Sequence, residues 1–501
     1  GKYYMEDTYA KNGGNFVTFG VSQTNRNGSA GNGVTDLAED FGFKCWDTGF
    51  VSQTGGVNQH DYNSSIADGD VLSLAFDADA GKLWLAKNGT WMTNASGTGD
   101  PANGNNPDFS SLTYSGGYFF MAGPYVDGVT NILKGNFGQR DWAYTPPTGF
   151  KSLCTQNLPD PLIADGSDYF EAKTYAGNGG TQTISLPFSP DLVWVKGRNN
   201  AYDHELATTV QSANKALASN ITDAEFNTVI EPGTDSFYLD GTSDYANASG
   251  INYVSWNWDA GSSTVSNTDG DITSSVRANP TAGFSIVKWT TPTWAGSSGR
   301  QVGHGLGAAP AFIITKGLTT VGGWYTYHKD LDATNPNDYY LTLNTADARG
   351  SLADSFGPNI PNSTTFGDRL LGFTENEDSV AFCFAPVEGY SAFGSYTGNG
   401  SSDGPFVYTG FKTRWLMIKS SSNSGEDWLI LDTARDTYND GDSSALYASL
   451  SHADNSTSAI TTDILSNGFK CIGTNAATNA SGYTYIYAAF AENPFKTARA
   501  R

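Results

Sequence analysis

Acidic side chains are the residues of this sequence whose spacing could do chemistry. Hydrolysis of a glycosidic bond needs two carboxyl groups held about 5 to 10 Å apart across a cleft. Closely spaced acids occur at four places: Asp77 with Asp79, Asp269 with Asp271, Glu375 with Glu377 and Asp378, and Asp440 with Asp442. All are set among Gly, Asn or Thr, and Asp favours such turns because its side chain bonds the neighbouring backbone. We therefore interpret these groups as turns and predict no catalytic residue.

Metal-binding patterns are weak in this sequence. The segment DTYNDGDSS, which begins at Asp436, comes closest to a calcium loop, but it lacks the spacing that ends in a Glu ligand, so a solvated loop is the simpler interpretation. The five histidines show no HxH or HExxH spacing and the four cysteines form no CxxC pair, which argues against zinc. We predict no metal and no cofactor, and we expect the cysteines to be buried free thiols.

Two tryptophans are the candidate ligand-binding residues. A sugar-binding site needs exposed aromatic rings beside polar side chains. Trp294 lies in TTPTWAGSSG, a polar segment with no strand pattern that would bury the ring. Trp324 follows two glycines in VGGWYTYH. The alternative for Trp324 is that it begins the strand WYTYH and packs in the core.

The charge balance limits the partners of this chain. Lys plus Arg is 28 and Asp plus Glu is 51, so the formal net charge is −23. Such a surface repels nucleic acid and anionic membranes, so no nucleic-acid partner is predicted. No window of the sequence approaches about 18 continuous apolar residues, so no membrane insertion is predicted either.

The elements that must position these residues are strands. The chain of 501 residues has 58 Gly, 12 Trp, 26 Tyr and 28 Phe, a composition that favours half-buried strands joined by tight turns. Alternation of apolar and polar residues is clearest in VLSLAF from Val71 and in LWL from Leu83. We predict an all-β fold in which residues 1–155 form a β-sandwich. The proline-rich segment 145–161 is the predicted domain boundary.

The rest of the chain contains a threefold internal repeat. FYLDGTSDYANASG from Phe237 aligns without a gap on FKCIGTNAATNASG from Phe469. An apolar strand that ends in a lysine recurs three times, at Lys196, Lys316 and Lys419. Each repeat is long enough to carry its own core, so we predict three tandem β-sandwich-like domains: 165–282, 283–388 and 389–501. The segment ANKALASNITDAEF, 213–226, could form two helical turns or an irregular loop.

Three ordered motifs in the first 155 residues resemble the SPRY domain: GKYYMEDTY at the start, GDVLSLAFDADAGKLWLAKNG from Gly69 and NFGQRDWAYTPPTGFKSL from Asn136. The resemblance implies a concanavalin A-like β-sandwich that acts as a binding scaffold, in a family without a common catalytic residue. The repeats are similar to modules that follow such a domain in tail-fibre and other virion proteins of tailed phages. Their W-x-K strand, ANKALASN segment and NASG motif carry this likeness.

The resemblance implies a non-enzymatic virion structural protein, a phage tail fibre or other appendage that contributes to attachment to a host-surface glycan or protein receptor. We expect a homo-oligomer that contacts other virion proteins at the particle surface or tail and is extracellular when mature. Fibres of this kind are commonly trimers, but no heptad segment in this sequence fixes the number of chains. Two alternatives stay open: a glycan depolymerase or lyase on a concanavalin-like fold, and a secreted bacterial carbohydrate-binding adhesin.

Overall fold

The chain folds into two compact units, 1–159 and 160–501, each built from β-sheets. Nearly all strand pairs in the described residues are antiparallel, and the one α-helix among them is Ala476–Asn479. The predicted all-β, sandwich-type fold is confirmed. The described part has no helix long and apolar enough to cross a lipid bilayer. The computed structural model describes these residues: 1–11, 16–22, 40–46, 49–54, 57–112, 118–124, 132–154, 157, 160–293, 300–368, 375–439, 441, 443–457 and 460–498.

The first unit is a sandwich of two sheets. Its described strands are β1 Lys2–Ala10, β2 Phe16–Ser22, β3 Asp40–Trp46, β4 Gly49–Thr54, β5 Val57–Asp61, β6 Val71–Asp77, β7 Lys82–Lys87, β8 Thr90–Trp91, β9 Thr93–Asn94, β10 Gly97–Thr98, β11 Phe119–Pro124, β12 Ile132–Asn136 and β13 Lys151–Ser152. The two sheets are ordered β12-β1-β6-β7-β8, with β13 beside β1, and β11-β2-β3-β4-β5. The core lies between them and includes Met5, Val17, Phe43 and Leu74.

The hairpin of β6 and β7 is buried on both faces. Leu83 and Leu85 pack in the core between the two sheets. Trp84 points to the opposite face, where it packs against Tyr4 in a second, smaller apolar cluster. Its indole Nε1–H donates to the carbonyl oxygen of Asn105 at 2.7 Å, so the polar atom of this buried ring is satisfied. The hairpin therefore packs into both apolar clusters of the first unit and has a structural role.

The second unit contains three repeats. The first repeat has β14 Phe170–Ala176, β15 Thr181–Ser185, β16 Leu192–Gly197, β17 Glu205–Thr208, β18 Lys215–Leu217, β19 Phe226–Asn227, β20 Ile230–Gly233, β21 Ser236–Asp240 and β22 Asn252–Trp258. The second has β23 Thr264–Asn267, β24 Ser274–Asn279, β25 Phe284–Thr290, β26 Arg300–Gly303, β27 Phe312–Gly317, β28 Tyr325–His328, β29 Tyr339–Thr342, β30 Gly350–Ser351, β31 Thr365–Asp368 and β32 Asp378–Phe384. The third has β33 Ser391–Thr397, β34 Phe406–Tyr408, β35 Phe411–Ser420, β36 Leu429–Asp432, β37 Ser443–Tyr447, β38 Asn455–Thr457, β39 Thr462–Leu465, β40 Gly468–Cys471 and β41 Thr484–Pro494. Two single 3₁₀ turns span Gly166–Asp168 and Pro336–Asp338.

The repeats share one topology. Each has a main sheet, ordered β14-β22-β16-β17-β18-β19, β23-β24-β25-β32-β27-β28-β29-β30 and β33-β41-β35-β36-β37-β38. Each also has a small sheet, β15-β21-β20, β26-β31 or β34-β40-β39. The three repeated lysines occupy the same register, opposite Val254, Val380 and Ile486. The alignment read from the sequence is therefore also the structural alignment.

The three repeats are joined by one common core. Trp258, Phe384 and Phe490 are equivalent residues of β22, β32 and β41, and they meet as an axial triad. The ring centroids lie 6.2 Å apart for Trp258 and Phe384, and Phe490 lies 5.7 Å from each. Residues of all three repeats belong to this single apolar cluster. The first and second repeats each also have an apolar cluster of their own, between the main sheet and the small sheet. Both faces of the main sheets are apolar, so one face packs on the repeat's own small sheet and the other packs in the common core.

Joints between neighbouring repeats close these three repeats into a ring. The residues just before β17, β28 and β36 occupy equivalent positions, and each directs a ring nitrogen to a backbone oxygen of the adjacent repeat. The pairs are His204 to Tyr447 at 2.9 Å, Trp324 to Ala218 at 2.9 Å and Trp428 to Thr342 at 3.0 Å. The first repeat thus contacts the third, the second contacts the first, and the third contacts the second. A heterologous contact that returns to its starting point closes a ring.

Two local predictions are corrected by the strand pairing. The hairpin of β23 and β24 pairs with β25, so residues 264–279 extend the sheet of the second repeat, although the predicted boundary placed them in 165–282. The segment 213–226 contains no helix. Its residues Ala216 and Leu217 lie in the short strand β18, where Ala216 packs in the first repeat's own cluster and Leu217 packs in the common core.

Candidate functional site

The two tryptophans predicted to bind a ligand do not form an exposed site in the described residues. Trp324 is 0% exposed, and its indole Nε1–H donates to the carbonyl oxygens of Ala218 at 2.9 Å and Ile221 at 3.2 Å. No face of this ring is open for a sugar, which corrects the ligand-binding expectation; the core alternative describes Trp324. The other candidate, Trp294, lies outside the described residues.

The described acidic groups hold local structure. Three of these groups have a carboxylate with a backbone donor: Asp77 accepts from the Ala80 amide at 3.1 Å, Asp271 from the Gln301 amide at 3.1 Å and Glu377 from the Thr320 amide at 2.9 Å. Burial would raise the pKa of Asp77, but the Ala80 amide and the Lys2 ammonium outweigh burial and lower it. Asp440 and Asp442 lie outside the described residues.

Metal and thiol chemistry find little support in the described part of the chain. No group of three His, Cys, Asp or Glu side chains there is placed to hold a metal ion. The cysteines are all free thiols. Cys45, Cys383 and Cys471 are buried, whereas Cys154 is exposed, so the expectation of four buried thiols is wrong at that one position.

Three buried lysines have strongly perturbed pKa values. Lys196, Lys316 and Lys419 are each 0% exposed. Burial lowers the pKa of each ammonium to about 8. Each ammonium donates to the carbonyl oxygen of the next residue, at 2.8, 2.8 and 2.7 Å. A perturbed pKa can mark a functional site, but an arrangement that recurs in all three repeats is assigned to the fold.

The lysine burial makes stability depend on pH. Because the pKa of Lys316 is about 8 when folded and 10.5 ordinarily, the unfolded chain binds more protons between these values. The free energy of unfolding should therefore increase as pH rises from 8 to 10, by up to about 1.4 kcal/mol per pH unit for this residue. The free energy of unfolding, measured with urea at pH 8, 9 and 10, should increase less steeply with pH in Lys316→Met than in the wild type, by that amount per pH unit. The partly exposed Lys288, changed to Met, is the control that should keep the wild-type slope, and equal slopes in all three proteins would contradict this result.

A polar cleft of about 690 Å³ opens on the first repeat. Its lining residues come from the turns at 187–191, 232–235 and 259–262, together with Thr209 and Arg277. The volume falls within the range of about 300 to 1,000 Å³ that is typical of ligand sites. Arg277 belongs to β24 of the second repeat, in the hairpin by which that repeat's sheet differs from the other two. The cleft is therefore formed where the first repeat meets this hairpin of the second repeat.

A buried carboxylate lies at the base of the polar cleft. Asp191 is 1% exposed, and it accepts from the Thr209 hydroxyl and from the Ala260 amide, both at 2.8 Å. Arg277 Nε lies 2.5 Å from Asp191 Oδ1, an ion-pair contact in which the Nε–H is not aligned for a hydrogen bond. Burial raises the pKa of Asp191 to about 6, although Thr209, Arg277 and Ala260 oppose the rise.

The buried carboxylate of the polar cleft is held by structural partners. A carboxyl group with a pKa near 6 could transfer a proton at neutral pH. Both oxygens of Asp191 are already engaged, however, so this group holds the surrounding turns together. Ser189 and Asp235 bond each other at the rim, and Thr234 and Ser262 are exposed there. Hydroxyl and carboxylate groups of this kind can hydrogen-bond a hydroxyl-rich ligand.

Sequence spacing could not find the polar cleft, because its residues come from segments about as far apart as residues 187 and 277. The internal repeat does carry a signal. Asp191 lies just before β16, and the equivalent residues are Ala311, just before β27, and Arg414, within β35. An acidic residue that is not repeated marks the position where the first repeat differs.

Comparison with known families gives one match. The model of a family described as "Domain of unknown function (DUF7483)" matches residues 165–494, well over half of the chain. This range contains all three repeats of the second unit. No curated protein matches the chain.

Among solved structures, a point mutant of NanB sialidase from Streptococcus pneumoniae is similar at 11% sequence identity and a TM-score of 0.15, over 89% of this chain and 70% of that chain. The structure titled "NanB plus Optactamide" has the same identity, TM-score and coverage. A TM-score this low carries no argument about fold or activity.

Proposed function

Because the chain belongs to the DUF7483 family, whose description assigns no activity, we propose a function from its own site. The protein is a non-enzymatic virion structural protein, part of a phage tail fibre or other appendage, and it contributes to attachment to a host-surface glycan or protein. The first unit, whose motifs resemble the SPRY domain, serves as a second non-catalytic scaffold. The chain acts as a homo-oligomer alongside other virion proteins.

The observation that carries this proposal is the set of contacts that Asp191 makes in the polar cleft. Asp191 has both oxygens occupied by Thr209, Ala260 and Arg277. General acid or base catalysis needs a carboxyl group that exchanges a proton with the substrate, whereas the partners of Asp191 hold its carboxyl group between the surrounding turns. A receptor-binding protein needs a shaped, polar surface held rigidly, and the paired charges supply that rigidity.

The closed ring also supports a role outside a cell. Each repeat is held on both sides, by the joints and by the axial triad. Local opening is reduced when an element has packing partners on every side. A ring of this kind is suited to carrying a binding surface at an exposed position on a particle.

Cell binding tests the attachment role. The labelled full chain is expected to sediment with cells of a susceptible bacterial strain, and antibodies against it should mark the tail or surface of intact particles in electron micrographs. Ser262→Trp, at the exposed rim, should fill the polar cleft and largely abolish sedimentation. Ala333→Trp, at an exposed position of the second repeat, is the matched control that should bind like the wild type.

Two results would overturn the proposal. One is a wild-type chain that neither sediments with cells nor marks particles. The other is the appearance of new reducing ends when the chain is incubated with the polysaccharide of those cells, because this would identify a depolymerase.

A further inference from the structure

The small sheet of the third repeat carries two exposed aromatic rings. Phe406 is 46% exposed and Tyr408 is 61% exposed, whereas Val407 between them is buried. Alternate residues of a strand point to the same side and lie about 6.6 Å apart. The two rings therefore stand side by side toward solvent, and we name them the aromatic face.

The middle strand of this sheet has no side chain beside Tyr408. The strand register places Gly468 opposite Tyr408 and Leu465 opposite Gly468. A Cβ atom at Gly468 would lie 2.0 Å from the carbonyl oxygen of Val407, so a glycine is required here. Gly468 is itself buried, so the exposed surface at this place is the Tyr408 ring.

Polar groups lie in the next row of the same sheet. Lys470 is opposite Phe406, and its ammonium forms an ion pair with Asp403 at 2.5 Å. Asp463 lies opposite Lys470 on the third strand. The aromatic face is therefore bordered by groups that can donate to and accept from hydroxyls.

The fold does not require aromatic residues at these two positions. The residues that occupy the places of Phe406 and Tyr408 are Thr183 and Ser185 in the first repeat and Gln301 and Gly303 in the second. The inward position between them stays apolar in all three repeats, as Ile184, Val302 and Val407. The small sheet thus keeps its core residue while its solvent face changes, and only the third repeat has two rings there.

The size of the aromatic face limits what can occupy it. Two half-exposed rings offer roughly 200 Å² of apolar surface, against about 800 Å² per partner in a stable protein interface. A second copy of the chain would need far more area. A pyranose ring has one apolar face that can pack on an aromatic ring and hydroxyl groups that can bond the polar row. The net charge of −23 disfavours an acidic glycan.

We propose that the aromatic face binds a neutral hexopyranose glycan, with one sugar packed on Tyr408 and its neighbour packed on Phe406. This inference rests on the proposed attachment role and names the ligand class of a second surface, separate from the polar cleft.

The test uses the full chain and soluble hexasaccharides of glucose, galactose, mannose and N-acetylglucosamine, followed by saturation-transfer NMR and calorimetry. At least one hexasaccharide is expected to bind. The double variant Phe406→Ala/Tyr408→Ala should weaken that binding at least about tenfold. Its melting temperature should stay unchanged, because both rings are exposed. Thr183→Ala/Ser185→Ala, at the equivalent positions of the first repeat, is the matched control and should bind normally.

The outcomes separate this inference from the attachment role. Binding that survives in Phe406→Ala/Tyr408→Ala but is lost in Ser262→Trp would place the sugar in the polar cleft and overturn the inference. A wild-type chain that sediments with cells yet binds none of the hexasaccharides would also overturn it, while the attachment role would stand.

Discussion

Replacing Trp258 with alanine is expected to destabilise all three repeats together, by about 3–5 kcal/mol. The Trp258 ring is 1% exposed and lies 6.2 Å from Phe384 and 5.7 Å from Phe490. Its removal would leave a cavity where the three main sheets meet, and a close-packed interior cannot collapse fully around such a gap. Urea unfolding followed by circular dichroism measures the loss, with the transition of the first unit as an internal reference.

The equivalent residues supply a matched control for this substitution. Because Phe384 and Phe490 occupy the other two positions of the axial triad, Trp258→Phe should lose less than about 1.5 kcal/mol. Limited proteolysis in urea should show cleavage of all three repeats of Trp258→Ala at the same lowered concentration. If the second and third repeats kept their wild-type resistance, they would have independent cores and the common core would be disproved.

Replacing Arg435 with methionine is expected to cost about 3–5 kcal/mol of stability, because it leaves a buried charge without its partner. The side chains of Arg435 and Asp432 are both 0% exposed, and Arg435 Nε lies 2.6 Å from Asp432 Oδ2. Arg435 also bonds Asp454 at 2.8 Å, and Asp454 contacts Arg198 of the first repeat at 3.0 Å. The substitution therefore weakens the contact between the third and first repeats as well as the Arg435–Asp432 ion pair.

The dependence of folding stability on pH that Asp432 causes should also have the opposite sign in Arg435→Met at low pH. In the wild type, burial would raise the pKa of Asp432, but Arg435 outweighs burial and lowers it, so the stability that this carboxylate contributes is lost as pH falls. In Arg435→Met, burial acts without the guanidinium and the folded-state pKa rises above the unfolded value. The folded state then binds more protons between the two pKa values, so the stability of the variant should increase as pH falls from the raised folded-state pKa to the unfolded pKa, and decrease as pH rises through the same range.

Thermal melting of the two proteins between pH 4 and pH 7 checks both effects. Arg349→Met is the control, because the side chain of Arg349 is 37% exposed and lies 3.7 Å from Asp332. An exposed pair of this kind contributes at most about 1 kcal/mol. A melting temperature of Arg435→Met no lower than that of Arg349→Met would contradict the expected loss.

Local structure could be predicted from the sequence because its signals are local. The Asn88–Gly89 dipeptide, a residue pair typical of tight turns, follows β7, and both residues have positive φ, 48° and 77°. Only glycine and, less often, asparagine adopt this backbone region easily. The repeated lysines likewise gave the correct register of β16, β27 and β35, because each ends an apolar strand at the same structural position.

The common core needed information that no single strand contains. In LVWVKG, Leu192–Gly197, every residue is buried, and an apolar pattern on both faces does indicate a strand covered on both sides. The pattern does not say what covers the second face. Here the cover is two other repeats, whose contact residues, such as Phe384 and Phe490, lie more than a hundred positions away in the chain.

The candidate binding residues were the least predictable from sequence. Trp324 has polar and glycine neighbours, yet a loop of the first repeat covers it. Phe406 and Tyr408 lie in GPFVYTG, a pattern typical of an apolar strand. Only the folded structure shows that two of its three apolar side chains face water. The exchange of Thr183 for Phe406 between aligned repeats was the available signal.

Linking three copies in one chain has a consequence for valency. In a homotrimer every substitution appears three times, so the copies cannot specialise. In this chain the position held by Phe406 is held by Thr183 and Gln301 in the other copies, while the axial triad keeps the ring closed. Each chain then presents one aromatic face, so the valency of an assembly for a ligand of that face would equal the number of chains in it.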